Sequence, residues 1–94
     1  MINGMIIDPK DNVAVAIEQI KKGDLITYLN FEKEAVELTA AEDIQIYHKF
    51  AIRDIADDEP IVKYGEHIGH AAGLVKKGEH VHVHNVKNVR EDLG

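Results

Sequence analysis

A short motif that recurs three times constrains the fold of this chain more than any other feature. In each copy an apolar residue is followed by two spacers, Gly or Asp, an acid, one further residue and a branched aliphatic residue. The copies span Ile20–Ile26, Ile55–Ile61 and Val75–Val81. This pattern predicts a short helical turn whose apolar residue fills the core, then a tight turn in which glycine tolerates a positive φ angle, then a new strand. Asp58 stands at the glycine position of the second copy and adopts that conformation at some cost.

The spacing between the copies is uneven, which excludes a solenoid. The uneven spacing instead predicts a mainly β, compact fold of many short strands with one or two short helical turns. The first of these turns is predicted across Glu18–Ile20. Val13–Ile17 alternates large and small apolar residues, as expected for a strand that is buried on both faces. Leu25–Leu29 and Val36–Leu38 are predicted to form the arms of a hairpin that turns near Glu32–Glu34.

Half of the six histidines lie within five residues, where His80, His82 and His84 alternate with valines. On a strand, successive side chains point to opposite faces, so the three imidazoles are predicted to share one face. Three interpretations remain open. The row is the wet face of a half-buried strand, a transition-metal site completed by a residue from elsewhere, or a surface that donates hydrogen bonds to an anionic ligand. In the last of these, Asn85 would add its amide.

Composition narrows the functional classes. The 94 residues indicate one small domain with a modest core, which we expect to span residues 1–86 and to be followed by a polar tail at 87–94. The formal charge of −6, from 17 acidic and 11 basic residues, argues against nucleic-acid binding. The absence of cysteine excludes disulfides and thiolate metal sites and fits a reducing cytoplasm. No apolar run approaches the roughly 20 residues that span a bilayer, and the start does not resemble a signal peptide, so no membrane association is expected.

Four segments, taken together and in order, resemble the SAF domain of altronate and galactarate dehydratases, which is related to the small subunit of sulfolactate sulfo-lyase. The segments are Asp11–Ala16, His48–Ile55, Lys63–Gly69 and Val81–Asn85. The resemblance covers nearly the whole chain and implies the β-clip fold, a tightly wound set of short strands. In that family the domain is either the N-terminal part of a long chain or a separate small subunit.

The resemblance implies that the chain is the small subunit of a sugar-acid dehydratase, a lyase whose larger partner carries most of the catalytic machinery. The implied reaction is β-elimination of water from altronate or galactarate, and a sibling version eliminates sulfite from sulfolactate. A divalent metal, iron by resemblance, would polarise the substrate in the complete enzyme, while no cofactor is certain for this chain. The isolated chain is then expected to be inactive, and a homo-oligomer remains open. A module that binds a carboxylated sugar or a metal without chemistry, and a structural adaptor, are the alternatives.

The candidate catalytic residues are His48, Lys49, His82 and His84. The candidate substrate contacts are Lys63, Tyr64 and Asn85, and His82 and His84 are also the candidate metal ligands. His67, His70 and His80 are expected to be solvated. The family that the chain resembles usually has glycine immediately before the His-Lys pair, where this sequence has Tyr47. If that glycine lets a ligand approach the backbone closely, Tyr47 narrows the space.

Overall fold

The computed structural model describes residues 2–87, and within this range every regular element is a strand. The expected mainly β fold is therefore confirmed, whereas the expected short helical turns are absent from the described residues. The strands are β1 Gly4–Met5, β2 Val13–Ala16, β3 Leu25–Leu29, β4 Ala35–Thr39, β5 Lys49–Ala51, β6 Pro60–Lys63, β7 Glu66–Ala71, β8 His80–Val81 and β9 Val86–Lys87. Since no helix occurs in residues 2–87, none there is long and apolar enough to cross a membrane.

The strands form three small antiparallel sheets, with the orders β1-β2-β5-β8, β3-β4 and β6-β7-β9. The predicted hairpin is confirmed, because β3 pairs with β4 from Leu25↔Thr39 to Leu29↔Ala35. Its turn includes Lys33, which has a φ of +63°. Lys87 pairs with His70 in the three-stranded sheet. The sheet thus reaches the first residue of the predicted tail, and residues 88–94 of that tail lie outside the described range.

The recurring motif is present four times in the structure, one more than the sequence pattern shows. Each copy has an alanine at the end of a strand or just after it, a buried aliphatic residue four positions on, and a residue with positive φ three positions further. The positions are Ala16, Ile20 and Gly23; Ala40, Ile44 and Tyr47; Ala51, Ile55 and Asp58; Ala71, Val75 and Gly78. The additional copy escapes the pattern because tyrosine replaces Gly or Asp at its turn, and L-residues rarely adopt positive φ there.

The four copies associate in two reciprocal pairs. In the first pair the Gly23 N–H donates to the Ala40 carbonyl at 2.9 Å and the Tyr47 N–H donates to the Ala16 carbonyl at 2.7 Å. In the second pair Asp58 donates to Ala71 at 2.8 Å and Gly78 to Ala51 at 2.9 Å. Single-residue antiparallel bridges, Ile20↔Ile44 and Ile55↔Val75, lie at the centres of the two pairs. This bridging explains why the segments that were expected to be helical turns are extended bends.

Each pair of copies contributes to its own hydrophobic cluster, and the central strands divide the two clusters. Ala14 and Phe50 belong to the cluster around the first pair, whereas their neighbours Val13 and Ala51 belong to the cluster around the second. Alternate residues of β2 and β5 therefore point into different cores. All four residues of β2 are buried, which confirms the prediction of a strand covered on both faces.

Candidate functional site

The histidine-rich segment forms a shorter strand than its alternation predicts. Only His80–Val81 is paired as β8, and the chain then turns, which leaves Val83 75% exposed. The strand that this alternation predicts is therefore correct only for His80–Val81, with Val81 buried, and wrong from His82 onward. The cause is Asn85, whose amide donates to the His80 carbonyl at 2.8 Å and accepts from the His82 N–H at 2.9 Å. These bonds reverse the chain, so Asn85 shapes the turn that presents His82.

The register of β5 against β8 brings His48 to this turn. Lys49 is paired with Val81, and one further step along the same antiparallel register sets His48 opposite His82. The two imidazoles stack with ring centroids 4.3 Å apart. The Nδ1 atom of His48 also lies 2.8 Å from Nε2 of His80, a hydrogen bond in which one of the two rings donates. Two histidines of the C-terminal run thus meet a third from the middle of the chain.

His84 completes a group that we call the histidine cluster: His48, His80, His82 and His84. The ring of His84 is exposed and its centroid lies 5.2 Å from that of His80. The expectation that His80 is solvated is wrong, because its half-buried ring contacts each of the other three. Its place in the alternating run was the available sequence signal for its role.

His48 occupies a motif position at which the other three copies carry an acid. In those copies the carboxylate accepts a hydrogen bond from the backbone N–H at the start of its own turn. The pairs are Lys21 to Asp24 at 3.0 Å, Ala56 to Glu59 at 2.9 Å, and Lys76 to Glu79. The backbone of His48 keeps the turn bond to the Gln45 carbonyl at 3.0 Å. Its side chain, however, lies against His80 and His82 instead of capping the turn.

The environment of the cluster favours the neutral form of His80 and His82. Burial lowers the pKa of His80, and the neighbouring His84, His48 and His82 lower it further, while Glu42 partly opposes them. The pKa of His82 is lowered by burial and then by His48, Lys49 and His84. Neutral imidazole keeps one lone pair on the ring, so these side chains can accept a proton or bind a metal ion. The buried Nδ1 of His82 has no hydrogen-bond partner among the described residues.

Two lysines act on this region through their charge, Lys49 on His82 and Lys63 on Lys49. Burial, followed by the charge of Lys63, lowers the pKa of Lys49, and the charge of Lys49 in turn affects His82. The Lys63 ammonium also lies 4.7 Å from the centroid of the Tyr64 ring, a cation–π contact. Tyr64 has a φ of +57° and is half exposed at the turn between β6 and β7. The structure therefore groups His48, His82 and His84 directly, links Lys49 to His82 through its charge, and links Lys63 to Lys49 and Tyr64.

Buried polar residues near the N-terminus hold the β6–β7 hairpin in place. Asn12 accepts from the Val62 N–H at 2.8 Å and donates to the Pro60 carbonyl at 2.8 Å. Asp11 accepts from the Gly65 N–H at 2.8 Å. These contacts fix the ends of the hairpin that carries Lys63 and Tyr64. The Asp11–Asn12 pair thus acts as an anchor for one side of the site.

Three residues make contacts that the sequence does not reveal. The Glu42 carboxylate accepts from the His80 N–H at 2.7 Å, a contact that no local pattern around Glu42 signals. His67 and His70, expected to be solvated, are half-buried with their rings edge to face at 4.6 Å. One nitrogen of each, Nε2 of His67 and Nδ1 of His70, is buried without a partner in the described part of the chain. That expectation is therefore also wrong.

The fold and site define a small all-strand domain with a surface of clustered imidazoles and ammonium groups. The chain belongs to the altronate/galactarate dehydratase SAF domain family, which matches residues 2–89. It is 37% identical over 91 residues to the (2R)-sulfolactate sulfo-lyase subunit alpha of Chromohalobacter salexigens, covering 95% of this chain and 97% of that protein. It is 38% identical over 87 residues to the altronate dehydratase of Bacillus subtilis and 39% over 83 residues to that of Escherichia coli. These matches cover 93% and 88% of this chain but only 16% of each dehydratase.

Proposed function

We propose that this chain is the small component of a sugar-acid dehydratase, a lyase that eliminates water from a substrate of the altronate or galactarate type. It contributes substrate contacts and covers an active site carried mainly by a larger subunit. The observation that carries the proposal is the histidine cluster, in which the charge of Lys49 also acts on His82. It supplies proton-accepting groups in a chain whose relatives are lyases.

The reaction class needs a base, a clamp for negative charge and an acid. A proton next to the substrate carboxylate is removed, the hydroxyl on the adjacent carbon leaves as water, and the enol that results becomes a 2-keto-3-deoxy acid. The imidazole of His82, whose pKa is lowered, is suited to accept the proton, His48 stacks against it, and His84 is exposed enough to reach the leaving hydroxyl. The ammonium groups of Lys49 and Lys63 attract the carboxylate and the negative charge that develops on it.

A larger partner follows from the openness of the cluster and from the relatives. His84 and Tyr64 are exposed, so a substrate held against them is covered only when another surface closes over it. The chain spans only 16% of the length of the two altronate dehydratases, and subunit alpha of the sulfo-lyase is by name one part of an assembly. We therefore assign the rest of the catalytic machinery to a larger subunit. We also place the enzyme in the cytoplasm, because a chain without cysteine has no disulfide bond that a reducing compartment would break.

Elimination of sulfite from sulfolactate is the second candidate. The observation in its favour is that the match covers 97% of the sulfo-lyase subunit alpha, nearly its full length. Both reactions remove a proton beside a carboxylate and expel a group from the next carbon. The same imidazoles and lysines serve either leaving group, so the choice between them depends on the larger subunit.

The test combines the chain with the larger family member encoded beside it. The complex is supplied with altronate, galactarate or sulfolactate, and 2-keto acid and sulfite are measured separately. We expect elimination from one of the three, with kcat reduced at least about 100-fold in His82→Ala if this imidazole takes part in proton transfer. Lys49→Ala should raise KM, whereas Lys10→Ala, an exposed lysine on the turn before β2, should change neither constant. A complex that eliminates nothing from these acids, or that keeps full activity in the His82→Ala and Lys49→Ala double variant, would refute the proposal.

A further inference from the structure

Three members of the cluster have ring nitrogens close enough to share one metal ion. One nitrogen each from His48, His80 and His82 lies within 4.8 Å of the other two, and the closest pair is 2.8 Å apart. Metal–nitrogen bonds of about 2.0–2.1 Å hold neighbouring ligand nitrogens about 2.8–3.4 Å apart in octahedral or tetrahedral geometry. Small rotations of the side chains therefore bring all three nitrogens to the distances that a metal site requires.

Two independent features indicate that bringing these imidazoles together lowers the stability of the fold. His48 replaces the turn-capping acid found in the other three motif copies, and its ring lies in the cluster instead. The Nδ1 atom of His82 is buried without a partner in the described residues, and such a group destabilises the folded state unless a ligand satisfies it. A metal ion held by the three rings would make use of the position that His48 takes in place of the capping acid.

The scaffold around the three rings is already fixed before any ligand binds. Glu42 and Asn85 hold the backbone of His80 and His82, and β5 carries His48 at a set register against β8. Pre-organised ligands bind a metal more tightly because little conformational entropy is lost on binding.

The chemistry of the donors selects the type of ion. Imidazole nitrogens suit iron, cobalt, nickel, copper and zinc, whereas magnesium and calcium require oxygen ligands. Three protein ligands also leave coordination positions open, as in catalytic rather than structural sites. The donor set thus fits the iron that the resemblance implies for the complete enzyme, and the open positions would accept oxygen atoms of an anionic substrate.

We propose that His48, His80 and His82 form a three-histidine site for a divalent transition-metal ion on this chain. The use of the site in elimination rests on the function proposed above, but metal binding itself does not. His84 is outside the group of three, exposed, and 5.2 Å from His80 by ring centroids. When bound, the ion would supply Lewis-acid polarisation of a substrate carboxylate.

The experiment uses the full chain without a histidine tag, freed of metal by a chelator. Zn²⁺ is titrated by calorimetry, and Co²⁺ by its visible absorption, which reports nitrogen coordination. We expect saturable binding of one ion per chain. The variants His48→Ala, His80→Ala and His82→Ala should each lower the association constant at least about 10-fold, since even second-shell changes at metal sites cost that much. His67→Gln is the matched control outside the cluster and should leave the constant unchanged.

Thermal unfolding of each variant shows whether it is folded. His82 lies in the turn beyond β8, so its variant keeps the paired strands and remains informative if His48→Ala or His80→Ala fails to fold. Absence of saturable binding to the wild-type chain, or an unchanged constant in His82→Ala, would overturn the proposal. An active lyase complex whose small chain binds no metal also overturns it and leaves the proposed function intact. A chain that binds the metal while its complex eliminates nothing supports the metal site and refutes the proposed function.

Discussion

Tyr47 offers a direct test of the turn geometry that places the site. Its φ is +69°, and its side chain is 72% exposed, so replacement by glycine removes little packing. Release of the left-handed conformation should contribute about 1–2 kcal/mol, and the greater freedom of glycine in the unfolded chain should cost about 0.5–1 kcal/mol. We therefore expect Tyr47→Gly to raise the free energy of unfolding by about 0.5–1 kcal/mol, or the Tm by about 2–8 °C for a domain of this size.

Equivalent positions in the other motif copies supply the controls. Gly23 and Gly78 have φ angles of +90° and +88°. A Cβ atom at Gly23 meets no described atom within 4 Å, whereas one at Gly78 would lie 2.3 Å from the Thr39 carbonyl oxygen. Gly23→Ala should therefore lose only the conformational contribution, about 1 kcal/mol. Gly78→Ala should lose more, because the backbone around Thr39 must shift to relieve the overlap.

Urea denaturation and thermal unfolding followed by circular dichroism measure all three variants. The reasoning is refuted if Tyr47→Gly lowers the Tm by more than a few degrees, since the ring would then contribute packing that its exposure denies. It is also refuted if Gly78→Ala is no more destabilising than Gly23→Ala. The expected order of stabilities would instead indicate that a glycine at position 47 serves the positive-φ conformation of the backbone. It would not be needed to leave room for a ligand, as the sequence suggested.

Three further predictions concern the cluster. His48→Glu restores a carboxylate to the turn and should raise the free energy of unfolding in urea by up to about 1 kcal/mol while abolishing Zn²⁺ binding in calorimetry. Lys49→Met removes a positive charge that acts on His82. It should lower the dissociation constant for Zn²⁺ and raise KM for the anionic substrate. If both constants rise or both fall, the assignment is contradicted. Because the pKa values of His80 and His82 are lowered from 6.5, the unfolded chain binds more protons as the pH falls through 6.5, so the free energy of unfolding should decrease there. Urea denaturation of the variant with both His80→Gln and His82→Gln should show a flatter pH profile, and an unchanged profile would contradict the mechanism.

Much of the fold was predictable because its determinants are local. Gly23, Asp58 and Gly78 mark turns that require positive φ, and the branched residues that follow mark new strands. The apolar stretch Val13–Ile17 predicted a strand with both faces buried, which is correct for Val13–Ala16 and wrong for Ile17, which lies beyond the strand and is exposed. The copy around Ile44 was not predictable from its own residues. Its turn is held by hydrogen bonds to Ala16, which lies far away in sequence, and those bonds impose on tyrosine a conformation that it would not choose alone.

Most residues of the candidate site were predictable from the sequence, whereas their arrangement in space was not. Resemblance to the family singled out His48 and His82, but their contact depends on the register between β5 and β8, which no local pattern specifies. Alternation in the histidine run predicted a long strand because periodicity cannot show that Asn85 folds back onto the backbone of His80. That single amide converts a row of imidazoles into a cluster.

The motif copy that carries the site is also the copy that departs furthest from its own pattern. At consecutive positions Tyr47 replaces the residue suited to positive φ, and His48 replaces the acid that caps the turn. Either change alone weakens the turn, and neither improves packing in the core, since Tyr47 is exposed and His48 contacts other polar rings. Departures from local rules persist in folded proteins where function requires them and the surrounding structure compensates. Here the reciprocal bonds to the copy around Ile20 supply the compensation, and the imidazole of His48 is thereby free to face His80 and His82.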